Sequence, residues 1–186
     1  MSAASQWVRR VTGAVLLAVG LTVVLRSAGS WAADAKPASP AVARDTVGLA
    51  AGYRLPGFSA TDLNGQTHEF SQYKGQILIL HFWASWCPYC RGEVSKLTQV
   101  TKELTSKGVR VLAVSSDEEV EQLKAFVAEQ QLPYPVVADV QSEASLFDQY
   151  GISGIPVTFI VARDGHTAFR LNGSSDIVGA VQSLLQ

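Results

Sequence analysis

The chain of 186 residues holds two cysteines, Cys87 and Cys90, separated by Pro88-Tyr89. Two thiols at this spacing can close a disulfide with each other or exchange one with a second pair of thiols. The run just before them, Ile77 to Trp83, is apolar and rich in β-branched and aromatic residues, and reads as a buried strand of a parallel sheet. Pro88 suits the first turn of a helix directly after it. Cys87 therefore falls at a helix N-terminus, where unpaired N–H groups and the positive end of the helix dipole favour a thiolate. It is expected to have a lowered pKa and to act as a nucleophile. Cys90, one turn further on, is placed to attack a mixed disulfide on Cys87 and close the ring.

Two other uses of the pair fit the sequence less well. A structural staple across so short a loop would contribute little, because disulfide stabilisation grows with loop length. A zinc knuckle needs about two further ligands, and no second CxxC is present. His68, His81 and His166 are scattered without the spacing such a site requires. No metal and no cofactor is called for, and redox chemistry is the reading this setting favours.

Composition fits one folded domain with additions at its start. Apolar content is high enough for a sizeable core, and the formal net charge of −1 gives no reason to expect nucleic acid as a partner. Residues 1–33 carry Arg9, Arg10 and Arg26 and no acid, which leaves the remainder mildly acidic. Arg9-Arg10 precede the apolar run Val11 to Leu25, Arg26 closes it, and small residues come next around Ser30 to Ala35. That order describes either a cleaved secretory signal or an N-terminal membrane anchor. A helix through the run would rise about 22 Å, short of the ~30 Å hydrocarbon core, although snorkelling arginines and Trp31 could extend the fit. Both readings put residue 34 onward outside the cytoplasm, in the periplasm or tethered to the inner membrane. Residues 34–52, with Pro37 and Pro40, read as a flexible linker, and 53–186 as the folded domain.

Asn64-Gly65 between short strand-like pieces signals an N-terminal β-hairpin. A helix is expected from Pro88 to about Lys107, with Val94, Leu97, Val100 and Leu104 as its apolar stripe and Gly108 ending it. Val109 to Ser115 is a second buried strand. Asp117 is expected to cap a helix over Val120 to Gln130, with Val120, Leu123 and Val127 sharing a face. Val136 to Ala138 reads as a short strand and Ser142 to Tyr150 as a helix. Val157 to Val161 and His166 to Leu171 form a closing hairpin, and Ile177 to Leu185 a last helix. The fold class is α/β, with a mixed central sheet flanked by helices.

At this level the sequence resembles the exported thioredoxin-fold oxidoreductases of the TlpA/ResA/DsbE-like family. The residues that carry the likeness are Phe82 to Cys90 with Glu93, and Gly154-Ile155-Pro156-Val157-Thr158-Phe159. The helix and short strand between Val114 and Tyr150 match that group's αβ insertion. The resemblance implies that Cys87 is the exposed attacking thiol and Cys90 the buried resolving one. It implies that Pro156 is a cis-proline lying against them, and that Ile155 offers backbone hydrogen bonds to an extended substrate peptide. Trp86, Pro88 and Tyr89 belong to the substrate-binding surface on the same basis, while Trp83 reads as core.

Glu93 matches a glutamate that helps control thiol ionisation, although from the helix pattern alone it would be a solvated carboxylate. His81 stands where cytoplasmic thioredoxins carry Asp and TlpA-like proteins usually Asn. It is either a satisfied core residue or the group that handles the proton of Cys90. The family further implies protein thiols and disulfides as substrates and a membrane electron donor of the DsbD/CcdA type. The expected role is that of a reductant serving cytochrome c maturation. A dithiol oxidant or a copper(I)-binding thiol protein are the alternatives. A thiol peroxidase fits poorly, because Leu80 and Ala84 stand where its Pro-x-x-x-Thr-x-x-Cys pattern requires Pro and Thr.

Overall fold

The computed structural model describes residues 46–141 and 144–186. The expected signal or anchor and the linker as far as residue 45 lie outside these residues. Within them the chain forms β1 (Ser59–Thr61), β2 (Thr67–Glu69), β3 (Ile77–Trp83), α1 (Pro88–Leu104), β4 (Val109–Ser115), α2 (Val120–Glu129), β5 (Val136–Ala138), α3 (Leu146–Gln149), β6 (Val157–Val161), β7 (Thr167–Asn172) and α4 (Ile177–Ser183).

Five strands make a mixed sheet in the order β5-β4-β3-β6-β7. β3, β4 and β5 run parallel, β6 is antiparallel to β3, and β7 is antiparallel to β6. β3 lies at the centre and every one of its residues is buried, as an apolar run covered on both faces requires. Side chains alternate across a strand. Ile77, Ile79 and Trp83 therefore enter one core with Leu97 and Val100 of α1, Leu123 of α2 and Ile177 and Val181 of α4. Leu78, Leu80 and Phe82 enter the other, with Phe58, Tyr73, Leu146, Tyr150 and Phe159. Phe82 meets Phe147 edge-on at 5.2 Å between ring centroids. The thioredoxin-like α/β fold read from the sequence is the fold observed.

α1 is followed by a 3-10 turn, Thr105–Lys107, and stops at Gly108, whose φ of 79° is costly for any residue with a Cβ. The β1–β2 hairpin turns at Asn64-Gly65 as expected. It leans on the edge of the sheet, where the Leu63 amide donates to the Val136 carbonyl at 2.8 Å.

Three boundaries differ from expectation. Residues 46–52 are not free linker. Arg54 N–H donates to Thr46 O and Gly48 N–H to Arg54 O, each at 3.0 Å, while Gly52 N–H donates to Thr167 O at 2.8 Å, so this segment caps one end of β7. The helix expected over Ser142 to Tyr150 is a single turn, Leu146–Gln149, capped by Ser145 Oγ, and residues 142 and 143 lie outside those described. Asp139 explains the late start, because its carboxylate takes the amides of Leu146 and Phe147 and the Ser145 hydroxyl. Asp117 does not cap α2, whose N-cap position is Glu119 with no side-chain hydrogen bond. Asp117 turns inward instead.

A polar triad fastens the hairpin. His68 Nε2 lies 3.0 Å from Asp62 Oδ2, and His68 Nδ1 lies 3.1 Å from the Tyr73 hydroxyl, all three side chains being buried. Burial works to raise the Asp62 carboxyl, but its hydrogen bonds with His68 and with the Gln66 and Asn64 amides prevail and hold it below the ordinary carboxylate range. A carboxyl lowered in the folded state stabilises that state above its unfolded pKa, and the contribution fades as acid titrates it. His68→Ala strands the Tyr73 hydroxyl and an Asp62 oxygen. It is expected to cost roughly 1–3 kcal/mol at neutral pH, seen as a lower urea midpoint with unchanged slope, and less in acid.

Candidate active site

The site forms where β3 ends and α1 begins. Cys87 is the N-cap of α1, with extended φ and ψ of −81° and 116°, and its Sγ accepts the Cys90 amide at 3.4 Å. Pro88 occupies the first helical position, where no amide hydrogen is needed. Both cysteines are free thiols. Cys90 is fully buried, as expected. Cys87 differs from the exposed thiol that the resemblance implies, since only 4% of its surface is open. Folding the sulfur back over the helix end to take the Cys90 amide hides it. What stands out instead are its neighbours Trp86 and Tyr89, 63% and 71% exposed. Two exposed aromatic side chains thus flank the hidden sulfur.

The Ile155–Pro156 peptide is cis, the geometry that the resemblance implied. Ile155 packs against the core cluster that contains both cysteines. Behind it a cleft of about 260 Å³ is lined by residues 153–157 with Arg170, Asn172 and Gly173. A larger cavity of about 740 Å³, lined by Phe58, Phe70, Tyr73 and Leu78 among others, opens on the opposite face of the sheet and takes no part in the thiol chemistry. The cysteine end is thus rimmed by two exposed aromatic side chains, with the sulfurs themselves buried.

The second sulfur is held as a thiol. Burial first, then the hydrogen bond to Cys87 and the nearby carboxylate of Glu93, push the Cys90 thiol up to about 12. At neutral pH Cys90 keeps its proton. Iodoacetamide is accordingly expected to modify Cys87 and to leave Cys90 unlabelled until the protein is unfolded, as peptide mass mapping would read.

Glu93 and His81 lie beneath the pair. Glu93 is 1% exposed, so the solvated carboxylate that the helix pattern alone suggests is corrected. Cys90, Glu93, Leu97, Val100 and Leu104 form one buried stripe along α1, with Glu93 directly in it. Its Oε1 accepts the Ser175 amide at 3.2 Å, and its Oε2, 3.7 Å from His81 Nδ1, has no hydrogen-bond partner. Burial raises the Glu93 carboxyl, against the pull of the Ser175 amide and Lys96.

His81 sits opposite Thr158 in the β3–β6 ladder, and its Nδ1 lies 2.9 Å from Thr158 Oγ1. Burial lowers His81 to about 3, so its ring is neutral. Its Nε2 has no partner, which leaves it only partly satisfied as a core residue. Thr158 stands inside the Gly154–Phe159 motif, whereas Ser175 belongs to no motif. Pairing of β6 beside β3 brings the first to the site, and the turn between β7 and α4 brings the second.

Such a turn on such a sheet is the setting of thioredoxin-like protein disulfide oxidoreductases, and that is the class to which this fold and pair of thiols assign the molecule. The chain belongs to the AhpC/TSA family, whose sequence model matches residues 51–169. It is 31% identical over 122 residues to the thiol-disulfide oxidoreductase ResA of Bacillus thuringiensis subsp. konkukian (strain 97-27), covering 66% of this chain and 69% of that protein. Identity to ResA of Bacillus subtilis (strain 168) is 29% over 126 residues, 68% of this chain and 69% of the relative. Among solved structures it is similar to a thiol:disulfide interchange protein of the thioredoxin family from Chlorobium tepidum TLS, with a TM-score of 0.64 and 27% identity over 77% of this chain and 99% of that one. StoA from Bacillus subtilis superposes with a TM-score of 0.57 and 27% identity, over 69% of this chain and 93% of its own. These likenesses put the chain with the TlpA/ResA/DsbE-like oxidoreductases, and its substrates are protein thiols and disulfides.

Proposed function

We propose that this protein is an extracytoplasmic reductant that transfers electrons from a membrane donor of the DsbD/CcdA type to disulfides of exported proteins, apocytochrome c among them. In the forward direction the Cys87 thiolate attacks one sulfur of the partner's disulfide, and the other sulfur leaves as a thiolate that takes up a proton. Cys90 then gives up its proton and attacks Cys87 Sγ. The partner departs as a dithiol, Cys87 and Cys90 are left as a disulfide, and two electrons have passed. The donor's dithiol restores the pair by the same steps. Trp86 and Tyr89 give the partner an apolar landing beside Cys87, Pro88 starts the helix beneath them, and the Ile155-Pro156 backbone aligns an extended segment against the sulfurs.

The exchange rests on Cys87 at the helix N-cap with Cys90 one turn on, and the reductant direction is supported by the likeness to ResA and StoA. Strongly oxidising couples owe their potential to a stabilised reduced form, so the potential is the quantity that tests the direction. Equilibration with glutathione is expected to give a potential near thioredoxin's value of about −270 mV, and a value above about −180 mV would overturn the assignment. Support for location comes from the sequence: Arg9-Arg10, the apolar run and Arg26 orient residue 34 onward away from the cytoplasm. A reporter enzyme that folds only outside the cytoplasm, fused after residue 52, is expected to be active, and an inactive fusion argues for a cytoplasmic protein. Leu80 and Ala84 leave the peroxidase pattern unfilled, and peroxide reduction is not part of the proposal.

A further inference from the structure

We propose that Asp117 is a positioning residue for disulfide exchange, holding through Ser85 the turn that presents Cys87. The inference rests on the assignment of Cys87 as the attacking sulfur. Asp117 lies in the loop after β4 and is buried. One of its oxygens accepts the Ser85 hydroxyl at 2.6 Å and the other accepts the Ser85 amide at 2.8 Å. The second oxygen also accepts the Ser115 hydroxyl, and Asp117 N–H donates to Ser115 Oγ at 3.0 Å. Both donors of Ser85 are thus consumed by one carboxylate, itself fixed from behind by β4. The remaining polar group of Ser85, its carbonyl, accepts Arg91 Nε at 2.7 Å. The Arg91 guanidinium lies 5.5 Å from the centroid of Phe126, whose ring packs on Trp83 at 5.6 Å.

Ser85 is therefore held by three hydrogen bonds from two side chains, two residues before the reactive sulfur. Its neighbours are tied down as well: Cys87 N–H donates to Ala84 O at 3.2 Å, and Ser116 N–H to Trp83 O at 3.1 Å. The short span from Ser85 to Cys87 transmits this fastening to where the sulfur sits over the helix end and to the direction in which Trp86 points. A reacting group needs to be held within about half an ångström of its working position, and such precision comes from locked supporting residues. Asp117→Asn turns one oxygen into a donor facing a donor. Ser85→Ala removes a single hydrogen bond, and Ser85→Thr keeps the hydroxyl.

The test uses the full chain without any partner protein, so it stands apart from the question of substrate. Two quantities are read at pH 7: the rate of Cys87 alkylation by iodoacetamide and the equilibrium constant of the Cys87–Cys90 pair with glutathione. Urea unfolding checks that each variant is folded. Asp117→Asn and Ser85→Ala are expected to slow alkylation by about tenfold and about threefold. They are also expected to move the equilibrium toward the disulfide, tenfold in the constant being about 30 mV, while Ser85→Thr restores both. Rates and constants within about twofold of the parent in Ser85→Ala and Asp117→Asn would overturn the inference. So would faster alkylation in Asp117→Asn with no change in Ser85→Ala, which assigns the effect to charge. Should Asp117→Asn not fold, Ser85→Ala against Ser85→Thr decides alone. A parent protein that reduces no protein disulfide sinks the proposed function and leaves the alkylation result to be read separately.

Discussion

Cys90→Ser is expected to leave the protein covalently joined to its partner, and Cys87→Ser to join nothing. The first variant keeps the helix-end sulfur that attacks and removes the one that resolves, so the reaction stops at the mixed disulfide. The second keeps only a buried thiol pushed up to about 12, which at neutral pH is almost wholly protonated and a poor nucleophile. Exchange with a model disulfide such as insulin should be lost completely in both. Non-reducing electrophoresis of cells that express each variant should show a reductant-sensitive adduct with Cys90→Ser alone. Mass spectrometry of that adduct names the substrate, and capture of exported thiol proteins is the outcome that the reductant assignment requires. Adducts of equal yield with both variants would mean that the structure's distinction between the two sulfurs has no chemical meaning.

Glu93→Gln should change how the resolving step responds to pH. The parent holds a carboxylate in the same buried stripe as Cys90, near enough for its charge to raise that thiol, and a general base at this place would act through Oε2, which has no hydrogen-bond partner. General-base contributions run to about 10²–10⁴-fold, and a group with a raised pKa is better matched to neutral operation. Gln keeps the shape and can still accept the Ser175 amide through its oxygen, but it takes no proton. Decay of a preformed mixed disulfide is expected to slow by on the order of a hundredfold at pH 7 and then to rise tenfold per pH unit, as hydroxide takes over the task. A parent-like profile in the variant would remove Glu93 from the mechanism. Stability carries the complementary sign. The folded protein binds the Glu93 proton more tightly than the unfolded chain does, so the parent loses stability as pH rises through the raised pKa, and Glu93→Gln should gain on it there. His81 acts the opposite way. Lowered from 6.5 to about 3, it takes stability from the fold as the solution is acidified below the unfolded value, because the unfolded chain then binds the proton that the folded one refuses. His81→Asn should flatten this acid limb in urea titrations at successive pH values. If His81 also handles the Cys90 proton, the same variant will alter the profile of thiol exchange.

The strands of this domain were legible because both of their faces are covered. Ile77 to Trp83 and Val109 to Ser115 are apolar runs interrupted only by His81, Arg110 and Ser115, and a central place in the sheet hides them. α1 was legible from its stripe, and the same stripe carried the signal for Glu93: extended by seven residues from Leu97 it passes through Cys90, and Glu93 falls on it. Hydrophobicity hides that fact, since a carboxylate reads as solvent-facing wherever it stands. Asp117 was misread for a related reason. An acid shortly before a helix fits a cap, and only the parallel pairing of β3 with β4, which sends both of their exits to one end of the sheet, reveals Ser85 as its partner. The burial of Cys87 depends on where one sulfur folds, and no spacing encodes that.

The backbone from Thr46 to Arg54 joins the sheet beside Thr167 and His166. Along the β3–β6–β7 ladder that is the pole where Leu78 meets Val161, while Phe82, Val157 and Asn172 lie at the pole of the cysteines. The chain therefore enters its domain as far from the sulfurs as the sheet allows. The pole that carries Trp86 and Tyr89 is thereby left clear of the entering backbone from Thr46 to Arg54.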